Sequence, residues 1–193
     1  MRKIFIKLLT ATFLFACNEN PKETIIYYDS GSVKYKGSWV DGVKQGEHIT
    51  YHESGVIKFK FNYVDGVSQG DWIIYYESGA VQAKGNDVDG IKQGENILFY
   101  ESGAVQAKGN FVDGDKQGEW ITYYENGAIS DKENFINGVY QGEQFKYYEN
   151  GAVQAKGNLV DAVPQGEWVY YRENGEIQKI ENYKDGLIST KKD

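Results

Sequence analysis

Few side chains in this 193-residue chain are able to do chemistry on their own. His48 and His52 are its two histidines and Cys17 its single cysteine. On a strand, a spacing of four places both rings on one face, as a two-histidine metal site would need. Each stands where sister copies of a repeated segment carry an aromatic residue, so drift within the repeat accounts for them without a metal. A Ser-His-Asp arrangement would recruit one of the same two rings, and no G-x-S-x-G elbow is present. Glutamates recur once per copy as Glu53, Glu77, Glu101, Glu125, Glu149 and Glu173, whereas acid–base catalysis needs one carboxylate set apart by its surroundings. The D-G-x-x-Q-G turns lack the alternating oxygen ligands of a calcium loop. A non-enzymatic chain without metal or cofactor is the expectation.

Recognition is the chemistry that remains. Trp72, Trp120 and Trp168 share one position in alternate copies, and Tyr76, Tyr100, Tyr124 and Tyr148 share another. Such aromatics supply large contact area with few rotatable bonds. They are the candidate binding face, for a protein partner or for a glycan whose rings pack on aromatic faces.

Positioning them falls to a repeat. YYESGAVQAKGN at Tyr75–Asn86 returns as FYESGAVQAKGN at Phe99–Asn110 and YYENGAVQAKGN at Tyr147–Asn158. Glycines recur every 24 residues from Gly31 to Gly175, and a second series runs from Gly42 to Gly186 with Ala162 in one place. A fixed period of this length marks an array whose units bury their apolar faces on one another. Between the glycines lie runs of seven or eight residues rich in Val, Ile, Tyr, Phe and Trp, which suit strands and are too short for helices. The spacing predicts an all-β fold: hairpins joined into one elongated antiparallel meander, about 60 Å long at ~4.8 Å per strand. E-S-G and E-N-G read as two-residue hairpin turns, and D-G-x-x-Q-G as a longer one. Alternation puts the Ile49–Ile73–Ile97–Ile121–Phe145–Val169 column and the Tyr51–Tyr75–Phe99–Tyr123–Tyr147–Tyr171 column in the core, with the tryptophans on the opposite face. The lysine column from Lys36 to Lys156 and the glutamate column read as solvated ladders that protect against edge pairing.

The N-terminus has a separate organisation. Residues 1–16 combine Arg2, Lys3 and Lys7 with a short apolar run, the order of a signal peptide. The run is too short to span a bilayer. LFAC, ending at Cys17, resembles the lipobox of bacterial lipoproteins, and the resemblance implies a lipid on Cys17. Residues 17–26 then read as lipidated cysteine and flexible tether, 27–188 as six to seven repeats, and 189–193 as a tail. Loss of the signal takes the formal charge from −7 to −10, which disfavours nucleic acid and anionic headgroups. Membrane attachment would come from the lipid. Asn18, where some lipoproteins carry an aspartate that implies inner-membrane retention, leans toward the outer membrane.

Tyr35-x-Gly37-x-Trp39-x-x-Gly42-x-x-x-Gly46, followed by Gly55, resembles the MORN (membrane occupation and recognition nexus) repeat. Departures are a longer unit, Ala83, Ala107 or Ala155 at the tyrosine position, and His48, Trp72, Asn96, Trp120, Gln144 or Trp168 where that repeat has a further glycine. Asn110–Gly127 (NFVDGDKQGEWITYYENG) is closer to a bacterial MORN-variant group labelled YwqK-like antitoxins. The resemblance implies a binding or spacing array. Three expectations follow: a lipid-anchored envelope scaffold for a protein partner, a cell-wall or glycan module, and an envelope antitoxin or immunity-like protein.

Overall fold

The computed structural model describes residues 20–189; the signal segment, Cys17 and the tail from 190 lie outside the described residues. These residues form seventeen strands of one antiparallel sheet and no helix. β1 (Lys22–Tyr27), β2 (Val33–Val40), β3 (Val43–Tyr51) and β4 (Ile57–Val64) open the meander, followed by β5 (Val67–Ser68), β6 (Gly70–Tyr75), β7 (Val81–Val88) and β8 (Ile91–Phe99). β9 (Val105–Val112), β10 (Asp115–Tyr123), β11 (Ile129–Ile136), β12 (Val139–Tyr140) and β13 (Gly142–Tyr147) continue it. β14 (Val153–Val160), β15 (Val163–Tyr171), β16 (Ile177–Lys184) and β17 (Leu187–Ile188) complete it. β5 with β6, and β12 with β13, are single strands interrupted at Gln69 and Gln141. The predicted hairpin meander is the observed fold.

The first strand starts earlier than the tether reading allowed. Lys22–Ile26 pair with Tyr35–Trp39, because the β-branched run Thr24-Ile25-Ile26 has strand preference and a waiting partner.

The two turn types are exchanged relative to expectation. Val40 pairs with Val43, so Asp41-Gly42 is the two-residue turn, with φ of 50° and 76°. Positive φ at both central residues is the type I′ hairpin, whose twist matches that of the strands. Asp supplies the first such residue in most copies and Asn137 in one, both tolerating the left-handed region through their short polar side chains. The E-S-G turn spans three residues. At Glu53-Ser54-Gly55, Gly55 N–H donates to His52 O and His52 N–H to Val56 O, a turn closed by a left-handed glycine bulge.

Burial reverses the expected faces. Residues directly opposite in an antiparallel pair share a face, so Trp72, Ile74, Ala83 and Gly85 lie on one side, and Ile73, Tyr75, Lys84 and Val81 on the other. His48, Trp72, Asn96, Trp120 and Gln144 are buried, Trp72 and Trp120 at 5% and 6% exposure, whereas most of the Ile and Tyr columns are half-buried. The sheet is one layer, and among the described residues no second layer covers the Ile–Tyr face. The tryptophan face covers itself, because a large ring on one strand lies over a glycine on the next. A Cβ on Gly109 would sit 2.2 Å from Trp120, and one on Gly157 2.1 Å from Trp168. Each buried indole removes ~150–250 Å² from water, roughly 4–6 kcal/mol before entropy.

Candidate functional site

The aromatics expected to form a binding face hold the array together. Trp72 Nε1 donates to Asp87 Oδ1 at 3.0 Å, and the other oxygen of that buried carboxylate accepts from Ser68 Oγ at 2.7 Å. Trp120 Nε1 donates to Asn110 O at 3.2 Å. Trp168 makes the equivalent bond to Asn158 O at 3.3 Å and is the one of the three that stays partly open. The tyrosines form an inter-repeat ladder. Tyr76 Oη donates to Phe99 O, Tyr100 to Tyr123 O and Tyr124 to Tyr147 O at 2.7 Å, and Tyr148 to Tyr171 O at 2.8 Å. Tyr28 starts the series at Tyr51 O.

The histidines are similarly committed. His48 is 4% exposed; Nδ1 accepts from Tyr35 Oη and Nε2 donates to Ser38 O at 3.0 Å. Burial, and then the Lys44 charge, lower its pKa. His52 Nε2 takes the place of a ladder tyrosine and donates to Tyr75 O at 3.3 Å. Among the described residues no three His, Cys, Asp or Glu side chains are grouped to hold a metal ion.

Where the copies cease to agree, the structure forms a distinct notch. VQAKGN becomes ISDKEN at Ile129–Asn134, so Asp131 replaces the alanine seen at Ala83, Ala107 and Ala155, and Glu133 replaces the glycine seen at Gly85, Gly109 and Gly157. Both changes fall on the tryptophan face, where Asp131 opposes Lys146 and Glu133 opposes Trp120. The result is a cleft of about 310 Å³ lined by Asp131, Glu133, Tyr140, Gln144, Phe145, Lys146, Ala155, Leu159, Trp168 and Tyr170. Burial, and secondarily Asp131, push the Glu133 carboxyl above the usual carboxylate range; Lys116 and a hydrogen bond from Tyr140 pull it partly back. Burial and the neighbouring Glu133 raise the Tyr140 hydroxyl as well. Carboxylates beside the rings of Trp168, Tyr140 and Tyr170 suit a cationic side chain, which gains from ion pairing and from the aromatic faces. Sequence reasoning missed this site; its signal was the one copy whose inward positions turn acidic together.

The opposite face keeps its regularity. Its Ile and Tyr columns run half-exposed between acidic and lysine rows, and the rows join at Lys36–Glu23, 2.9 Å, and Lys60–Glu47, 2.6 Å. A second, more open groove of about 510 Å³ lies among Asp71, Ile73, Lys84, Asn86, Glu95 and Ile97.

Fold and repeat define the class: a single-sheet array of β-hairpins with no helix among the described residues. A family model described as the MORN repeat variant matches residues 44–65, 92–113, 116–137, 140–161 and 164–185. Each match runs from the strand after one two-residue turn, through the E-x-G hairpin, to the first residue of the next such turn: Asp65, Asp113, Asn137, Asp161 or Asp185. The chain belongs to the MORN repeat variant family, whose repeats serve generally as protein- and membrane-interaction modules. No curated protein matches it.

Proposed function

We propose that this chain is a non-enzymatic recognition scaffold, held at the cell envelope by a lipid on Cys17, that binds a protein partner through the notch around Glu133. The supporting observation is the convergence of Asp131 and Glu133, from the one copy in which both of these positions are acidic, on one aromatic-walled cleft. A basic side chain of the partner is the group this chemistry accepts. The rest of the array spaces and orients the notch, and the outer membrane is the favoured surface.

Reverting the notch to the repeat tests this. The double change Asp131→Ala with Glu133→Gly installs what Ala83 and Gly85 carry, and Gly85 already sits opposite a tryptophan. The variant should therefore fold as before. Capture of a partner from envelope extracts should be lost, with the thermal melt no lower. Capture at the original level would refute the role of the notch.

A glycan reading has its own support in the Tyr51–Tyr75–Phe99–Tyr123–Tyr147–Tyr171 column, one half-exposed aromatic per repeat along the uncovered face. Co-sedimentation with purified sacculi, lost on Tyr75→Ala with Tyr123→Ala, would favour it. An immunity role of the YwqK-like kind would make the partner an envelope toxin, encoded beside this chain.

A further inference from the structure

The Ile–Tyr face carries a pattern of charge that is complementary to itself. Residues paired across strands share a face, so Tyr75 with Val81, Ile73 with Lys84, and Asp71 with Asn86 are three successive steps along it. Val88, paired with Ile91, is a fourth step beside the two-residue turn. Repetition extends these steps into four rows along the array: aromatic with aliphatic, aliphatic with lysine, carboxylate with asparagine, and valine with valine or isoleucine. The fourth row is open to water, with Val64, Val88, Ile91, Val112, Ile136 and Val160 between 41% and 50% exposed. A sheet buries its apolar face against another layer, and a continuous apolar surface marks an interaction site. This one is about 60 Å long and ~20 Å wide, roughly 1,200 Å² against the ~800 Å² per partner of a stable complex. Its charges stand one row apart. Lys36 and Lys60 reach Glu23 and Glu47 of their own sheet. Among the described residues the lysine row from Lys84 to Lys156 makes no salt bridge, and neither does the acidic row from Asp71 to Glu167. Hollows of about 510, 410 and 220 Å³ lie between Asp71 and Glu95, between Glu119 and Glu143, and between Glu143 and Glu167, each beside an asparagine.

We infer that this face receives the same face of a second copy, turned about a twofold axis along the array, so that two single layers form a sandwich. The rotation keeps each strand over its counterpart and exchanges the rows. The aromatic row of each copy meets the turn-side valine row of the other, and the lysine row meets the carboxylate row. Lys84 of one copy enters the hollow beside Asn86 of the other, between Asp71 and Glu95. Both copies contribute the same residues, as a closed twofold interface requires. A twofold axis along the strands instead would set lysine on lysine and carboxylate on carboxylate, a juxtaposition that like charges oppose. The notch around Glu133 lies on the tryptophan face and stays open in such a dimer.

Sedimentation velocity of the full chain, in a Cys17→Ser background, should show monomer and dimer in exchange over a concentration series and nothing larger. Lys84→Glu with Lys108→Glu sets acid against acid across the junction, and Glu95→Lys with Glu119→Lys sets base against base. Each double variant should self-associate at least about tenfold more weakly, with its circular dichroism unchanged, and an equimolar mixture of the two should recover the dimer. Val81→Cys and Val88→Cys lie roughly 23 Å apart on one strand but face each other across layers ~10 Å apart. Mixed, these two single variants should be joined by a thiol cross-linker of about that 10 Å reach, and neither should be joined to itself. A monomer at every concentration, a charge-swapped mixture that stays monomeric, or self-cross-linking by Val81→Cys alone would overturn the inference. A monomer that sediments with purified sacculi would do so too, and would give this face to a glycan. The Asp131→Ala, Glu133→Gly variant should dimerise as the parent does, which separates this result from the fate of the partner notch.

Discussion

Replacing Gly109 by alanine examines the packing that makes one layer of sheet stable. Gly109 does not need a left-handed backbone; its hydrogen is needed because an added Cβ would lie 2.2, 2.4 and 2.5 Å from Trp120 Cδ2, Cε2 and Cγ. Those atoms belong to a rigid ring that is 6% exposed and tied by its N–H to Asn110 O. The ring must shift, and overpacking of this kind costs about 1–3 kcal/mol. Alanine also restricts the unfolded chain, which stabilises by about 0.4–1 kcal/mol. The net expectation is a loss of about 1–2 kcal/mol, or a melting temperature lower by roughly 2–8 °C for a chain of this size. Thermal and urea unfolding, followed by circular dichroism, measure it. Gly103→Ala is the control: its φ is 88° with nothing within 4 Å of a Cβ, so its cost of about 1 kcal/mol is backbone strain alone. In a Trp120→Ala background the cost of Gly109→Ala should reverse to a gain of about 0.4–1 kcal/mol, while that of Gly103→Ala stays. If Gly109→Ala is harmless in the parent, or equally costly without the indole, the ring-over-glycine account of this core is wrong.

The tyrosine ladder and the buried histidine give further tests. Tyr100→Phe removes only the hydroxyl that donates to Tyr123 O and should lower stability by about 0.5–1.5 kcal/mol; hydrogen exchange should quicken at the end of β10 before it does in distant repeats. The lowered pKa of His48 means that, below the ordinary imidazole value of about 6.5, the unfolded chain takes up a proton before the folded one does. Stability should therefore fall as pH drops from that value to the folded pKa and then stop falling on this account. His48→Asn, the residue found at Asn96, should remove that acid limb from a pH series of urea midpoints. Glu133 acts with the opposite sign: its raised pKa makes stability decline as pH rises from the ordinary carboxylate range to the folded value, and Glu133→Gln should flatten the decline.

Much of the architecture is legible in the residues. A 24-residue period with glycine at fixed places can be met only by a unit that returns the chain to its own starting geometry, and runs of seven or eight β-branched and aromatic residues make that unit a hairpin. The turn types were less legible, because Asp-Gly and Ser-Gly both permit positive φ. The difference lies in the pairing of Val40 with Val43, two residues apart across the turn, which composition does not reveal.

The faces were not decided by the sequence. Alternation shows that Trp72 and Ile73 point opposite ways but not which side shelters itself; that depends on Gly85 and Gly109 lying across from the large rings on neighbouring strands, a matter of cross-strand register. The same holds for the candidate site. Asp131 and Glu133 look like ordinary surface charges along the chain, and become a notch only when Tyr140, Trp168 and Tyr170, from later strands, close around them. Local sequence fixes which dihedral angles each segment can adopt, and hence the repeat; the meeting of side chains distant in the chain is set by strand pairing, and only the folded sheet brings it about.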